Sequence, residues 1–150
     1  MRRINMTPYE RVYEAFLAKI LDDEWENWMP ADIEADLRQI LEGAIPLFKF
    51  PRVSLERDEK GFKEDLSNTE IQILATYMKC EWLNRSILTW ENVKPMYAER
   101  DFSPGNLLGK LIDTLAAERL AASRLERNYY RSIDGRPFNY GRLAGGKDGQ

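Results

Sequence analysis

The chain has 150 residues, 43% of them hydrophobic and 31% charged, which is enough apolar material for one core and too much for a disordered polymer. No apolar run approaches the roughly 18 residues a membrane helix requires, and no apolar stretch follows the two arginines of MRRINMTPYE, so the sequence predicts a protein made and kept in the cytoplasm. Histidine is absent and Cys80 stands alone, which removes the commonest general base and metal ligand together with any intramolecular disulfide.

The net charge of −3 conceals an asymmetry. Residues 1 to 118 carry 15 basic and 22 acidic side chains, while residues 119 to 150 carry 7 basic and 3 acidic ones, giving −7 against +4. An acidic body with a basic C-terminal arm suits contact with an anionic partner, although solubility alone also explains the acidic excess.

In chain order, Thr7-Pro8-Tyr9-Glu10 reads as a capping box with Pro8 at the first helical position. Val12, Phe16, Leu17 and Ile20 then form one apolar stripe, predicting a helix from Pro8 to Leu21. Asp22-Asp23-Glu24-Trp25-Glu26-Asn27-Trp28 does not fit an amphipathic pattern and reads as a loop or frayed helix end. Pro30 opens a second helix, with Ile33, Leu37, Ile40, Leu41 and Ala44 on one face and Asp32, Glu34 and Asp36 near its positive end. Pro46 ends it near residues 43 to 45.

Residues 47–63 change character. Leu47-Phe48-Lys49-Phe50 alternates, Pro51 interrupts, Val53 and Leu55 alternate again, and Asp58-Glu59-Lys60-Gly61 reads as a turn. This is a long loop or a two-stranded β-ribbon, and its apolar side must dock on the helices or on another subunit. Ser67-Asn68-Thr69-Glu70 is a second capping box. It starts the central core helix, whose apolar face includes Ile71, Leu74, Met78, Trp82, Leu83 and Ile87. Trp90 to Phe102 reads as a connector broken by Pro95.

Ser103-Pro104 then opens a helix without a breaker from Asn106 to Ser132. At ~1.5 Å per residue it is roughly 40 Å long, so part of it should project or pack on another chain. Leu108, Leu111, Leu115, Ala122, Leu125 and Tyr129 form its seam, which Glu118 interrupts. Residues 133–150, rich in glycine and arginine, read as a flexible tail that orders on binding. The expected fold is therefore mainly α: a bundle of about four helices over residues 1–132, carrying the 47–63 ribbon or loop insertion and a long C-terminal helix.

Chemistry is sparse. The carboxylates of Asp22, Asp23, Glu24 and Glu26 lack the ligand spacing and turn glycine of a calcium loop, and no phosphate-binding, hydrolase or metalloprotease motif occurs. No catalytic residue, metal or cofactor is expected. Trp25 and Trp28, outside the best stripes, are candidate interface anchors, as are Phe48 and Phe50 of the insertion and Arg136, Phe138, Tyr140 and Arg142 of the tail. Arg119, Arg124, Arg127 and Arg131 have the simpler reading of a solvated helix face, and a small nucleic-acid-binding packaging or regulatory protein is the alternative.

The run FKEDLSNTEIQILATYMKCEWL at residues 62–83, and DFSPGNLL at 101–108 opening a long helix that ends in Tyr129-Tyr130, resembles the head-to-tail connector or neck adaptor proteins of tailed bacteriophages. TPYERVYEAFL at 7–17 and FKF at 48–50 fit the same order, so the likeness spans most of residues 7–132. The resemblance implies a structural subunit of the virion neck, made in the host cytoplasm and forming a ring with copies of itself, twelve in all. The ring would sit between the portal protein and a tail or neck completion protein, with DNA passing through its lumen without sequence-specific binding. It also implies docking on the portal through the C-terminal part, where Arg136, Phe138, Tyr140 and Arg142 lie, and it carries over no catalytic residue.

Overall fold

A computed structural model describes residues 7–20, 25–93, 104–133 and 136–137. The chain is mainly α-helical. A two-residue strand β1 (Thr7–Pro8) leads into α1 (Tyr9–Leu17), α2 (Pro30–Ala44) and a single 3-10 turn (Ile45–Leu47). After a loop and β2 (Gly61–Phe62) come α3 (Asn68–Val93), α4 (Pro104–Tyr130), and the strand pair β3 (Ser132–Ile133) and β4 (Arg136–Pro137). Among the described residues no helix is long and apolar enough to cross a membrane.

Helix α3 is the axis of the bundle. Its first half is buried almost all round at Ile71, Ile73, Leu74, Ala75, Thr76 and Met78, as befits a helix covered on several sides. Helices α1, α2 and α4 all pack on it. Tyr9, Val12, Tyr13 and Phe16 of α1, and Leu37, Ile40, Leu41 and Ala44 of α2, point into the main core, which Phe48, Phe62, Leu66 and Tyr129 complete. A second, thinner cluster of Cys80, Leu83, Ile87 and Leu115 joins the distal halves of α3 and α4. Cys80 is therefore a small buried hydrophobe, its thiol pushed up to about 11 by burial, which keeps it protonated and unreactive.

The two capping boxes part company. At α3 the box forms: the Glu70 backbone N–H donates to Ser67 Oγ (3.2 Å) and the Ser67 N–H donates to Glu70 Oε1 (2.8 Å), satisfying two otherwise orphaned donors. At α1 it does not. Pro8 occupies the cap position, and Thr7 is fully buried, donating from Oγ1 to the Glu64 carbonyl (2.8 Å) and accepting from the Leu66 N–H (2.9 Å). Thr7 is a staple between distant segments. The helix is also shorter than expected, ending at Leu17, which is exposed, while Ile20 is buried beyond it.

The 47–63 insertion is a loop with a tight tip. Arg57 and Phe62 form a single antiparallel bridge, and the Asp58 carboxylate accepts from the Lys60 N–H (2.7 Å) and the Gly61 N–H (3.3 Å). No two-stranded ribbon forms within it; Gly61–Phe62 instead pairs antiparallel with Thr7–Pro8. Its apolar side docks on the chain's own helices through Phe48, Phe62, Val53 and Leu55. Gly61 is required by this pairing, because a Cβ there would lie 2.3 Å from the Thr7 carbonyl oxygen and 2.8 Å from Pro8 Cα. Gly61→Ala is expected to cost about 1–3 kcal/mol through forced backbone separation, measured as a lowered urea midpoint.

Helix α3 covers part of the seam of the long C-terminal helix. Helix α3 runs on to Val93, taking up Trp90 and its neighbours, which the sequence assigns to a connector, so its 26 residues nearly match the 27 of α4. Leu115, Ala122 and Tyr129 of the seam are buried, and Leu108, Leu111 and Leu125 are half-buried. Glu118, which interrupts the seam, meets Lys79 of α3 across a 2.8 Å salt bridge.

Candidate assembly surfaces

The end of α4 and the start of the insertion are locked together. Tyr129 packs edge-on against Phe48 with centroids 5.5 Å apart, and its hydroxyl donates to Glu70 Oε2 (2.6 Å) while accepting from the Arg52 N–H (2.7 Å). The Arg52 guanidinium lies 4.8 Å from the centre of the Tyr129 ring and donates to the Tyr130 carbonyl (3.1 Å). One turn back, Glu126 is buried and accepts from the hydroxyls of Tyr77 and Tyr130. Burial first, and then the hydrogen bonds to the carboxylates, push the Tyr129 and Tyr130 hydroxyls up to about 12, so both stay donors.

The expected anchors divide at this clasp. Phe48 is 3% exposed and belongs to the core; it is not available to a partner. Two residues on, Phe50 is 70% exposed, its ring 6.3 Å from that of Tyr130, which is itself exposed. The alternation read from the sequence does not hold: it would put Phe48 and Phe50 on one face, but the segment forms no strand, and only Phe50 meets solvent.

The tryptophans divide in the same way. Trp25 is 7% exposed, packs edge-on against Phe16 at 6.3 Å and donates its indole N–H to Asp36 (2.7 Å). Its assignment as an interface anchor is therefore corrected to a core residue, because a polar partner on α2 lets the indole be buried. Trp28 is 41% exposed beside Met29, which is exposed at 68%, and both line an open cleft with Asn27, Asp32 and Gln39. Arg136 lies in β4, paired with β3, while Phe138, Tyr140 and Arg142 fall outside the described residues, as do Asp22, Asp23 and Glu24.

Two carboxylates organise the body: Asp36, read from the sequence as one of the acids near the positive end of its helix, and Glu42, which the sequence did not single out. Asp36 accepts from Arg85 on α3 (2.6 and 3.1 Å) and from Trp25, joining three segments. Glu42 is held by Arg57 of the insertion and by Arg38 one turn earlier. Burial raises the Asp36 carboxyl, but the hydrogen bonds from Arg85 and Trp25 outweigh it and leave it below its ordinary value of 3.8. The Arg57 hydrogen bond, with Arg38, holds Glu42 below its ordinary 4.5 against burial. Arg38 and Glu42 are spaced as helix neighbours, but no one-dimensional signal marks Asp36 and Arg85, which are 49 residues apart.

Both carboxyls titrate lower in the folded chain than in the unfolded one. Each therefore stabilises the fold above its unfolded value, and the contribution is lost as pH falls through the folded value. Urea midpoints are expected to drop on going from neutral pH to below the ordinary values of 3.8 and 4.5. Asp36→Asn should lower the neutral midpoint and flatten that drop; an unchanged pH profile would contradict the assignment.

Among the described residues there is no group of three or more His, Cys, Asp or Glu side chains placed to hold a metal ion. The Tyr13 hydroxyl is buried without a hydrogen-bond partner among the described residues, in a cleft shared with Tyr9, Glu34 and Arg38. What distinguishes the surface is the distribution of exposed apolar and charged side chains. A scan against protein-family models, a search of curated proteins and a search of solved structures each found no match.

Proposed function

We propose that this chain is a structural head-to-tail connector subunit of a tailed phage virion, forming a ring between portal and tail through which DNA passes. The observation that carries the reading is the segment order. Of the 62–83 and 101–108 phrases that resemble neck adaptors, residues 68–83 and 104–108 lie in the two long paired helices α3 and α4, and the helix of the 7–17 phrase packs on α3. A body of net charge −7 suits a lumen from which DNA must slide freely, and the basic tail leaves from the tyrosine clasp at the end of α4.

The reading is tested by mixing the purified chain with the portal of its virus and imaging the product. A ring stacked on the portal is expected. Removing residues 133–150 should leave the helical far-ultraviolet signal intact, since the described core ends at Tyr129, but abolish portal capture. Failure of the full chain to sediment with the portal, or its absence from purified virions, would refute the proposal.

A second reading has one observation in its favour: Arg124, Arg127 and Arg131, spaced by three and four residues at the end of α4, are all exposed. Arg131 lies one residue past the end of α4, and the three would together serve a nucleic-acid-binding packaging protein. Duplex binding whose affinity falls steeply with salt would favour this reading.

A further inference from the structure

The molecule carries two exposed patches of opposite charge, each with large apolar side chains at its centre. In the first, Phe50 and Tyr130 lie among exposed Lys49, Arg52 and Arg131, while the Glu126 carboxylate that accepts from the Tyr130 hydroxyl is itself buried. In the second, Trp28 and Met29 share a cleft with exposed Asp32, and exposed Glu26 lies two residues before Trp28 in the chain. Residues 21–36 hold seven carboxylates and no cation.

The two patches lie at different levels of the bundle. The first is tied through Tyr129 to Glu70, in the opening turn of α3; the second is tied through Trp25 and Asp36 to Arg85. Fifteen residues of helix separate those two positions, or ~22 Å at 1.5 Å per residue. Among the described residues the patches are held apart, so within one copy neither can cover the other.

We infer that the patches are the two halves of a head-to-tail contact, with Phe50 and Tyr130 of one copy seated against Trp28 and Met29 of the next. Aromatic anchors supply the affinity, and the surrounding opposite charges set register and reject the reversed pairing of like with like. Because the halves differ, the contact is heterologous: it propagates from copy to copy and closes into a ring when the rotation permits. This rests on the connector reading only for its purpose and names the subunit contact such a ring would use; its test needs no portal.

Two full-length variants decide it. Lys49→Ser/Phe50→Ser/Arg131→Ser disables the basic patch, and Glu26→Gln/Trp28→Ser/Asp32→Asn disables the acidic one without creating a patch of the opposite charge; all six side chains are exposed. By mass photometry and sedimentation, the unaltered chain should form assemblies larger than a dimer. These should weaken with salt as the screening length falls from about 10 Å at 0.1 M to about 3 Å at 1 M. Each variant alone should be monomeric. An equimolar mixture of the two should give a one-to-one heterodimer and nothing larger, because one intact basic patch meets one intact acidic patch and both free ends are disabled. That heterodimer also shows that both variants are folded, and it supports the contact even if the chain never joins a portal, so the two proposals fail separately. An unaltered chain that stays monomeric at every concentration and salt, or a single variant that still self-associates, overturns the inference. So does a chain that captures only an unrelated acidic peptide.

Discussion

Phe62→Ala is expected to destabilise the chain by about 3–5 kcal/mol, a range typical of emptying a fully buried aromatic site. Phe62 has no exposed surface, packs edge-on against Tyr9 at 5.5 Å, and supplies the strand residue that pairs with Thr7. Its removal leaves a cavity where β1, β2 and α1 meet, a junction tied by backbone pairing that cannot collapse without breaking the Thr7 staple. Against a total stability of order 5–15 kcal/mol, the loss is a large fraction. The thermal midpoint should fall by about 10–15 °C. Phe50→Ala is the internal comparison: with the same chemistry but 70% exposure, it should leave the midpoint nearly unchanged. Equal effects at the two positions would contradict the placement of the insertion.

Glu70→Ala has the second-largest expected effect, about 2–3 kcal/mol. The carboxylate closes the cap of α3 through Oε1 and accepts the Tyr129 hydroxyl through Oε2. A cap contributes ~1 kcal/mol and a hydrogen bond to a charged group ~1.5–3 kcal/mol. Relief from burying a carboxylate offsets part of that sum. The substitution also removes the partner that orients Tyr129 against Phe48 and the Arg52 N–H, so the insertion should loosen together with the end of α4. A double-mutant cycle with Tyr129→Phe should return a coupling of about 1–2 kcal/mol. Coupling near zero would mean that the two side chains act independently, and amide exchange at Arg52 should then be no faster in Glu70→Ala than in the unaltered chain.

What the sequence determined by itself is what local physics controls. The positions of α2 and the start of α3 follow from proline, capping and the three-to-four spacing of apolar residues, and the Ser67–Glu70 box forms as read because its partners are three residues apart. The mainly helical class, the buried inert Cys80 and the long α4 were legible on the same terms. The sequence singled out Phe50 and Trp28, which are exposed, but it singled out the buried Phe48 and Trp25 on the same grounds.

Only the tertiary structure decided between those pairs. Trp25 is buried because Asp36 offers its indole a partner, and Phe48 because Tyr129, 81 residues later in the chain, closes over it. Thr7 looked like a cap because its neighbours permit one, yet the competing acceptor and donor at Glu64 and Leu66 lie 57 and 59 residues away. The long terminal helix looked overlong because nothing local revealed that α3 runs on through Trp90 to match it. In each case the energy that decided the outcome came from a partner distant in sequence, and periodicity is blind to such partners. The two opposed patches belong with them: their charges can be counted along the chain, but the ~22 Å of α3 that keeps them apart exists only once the bundle is folded.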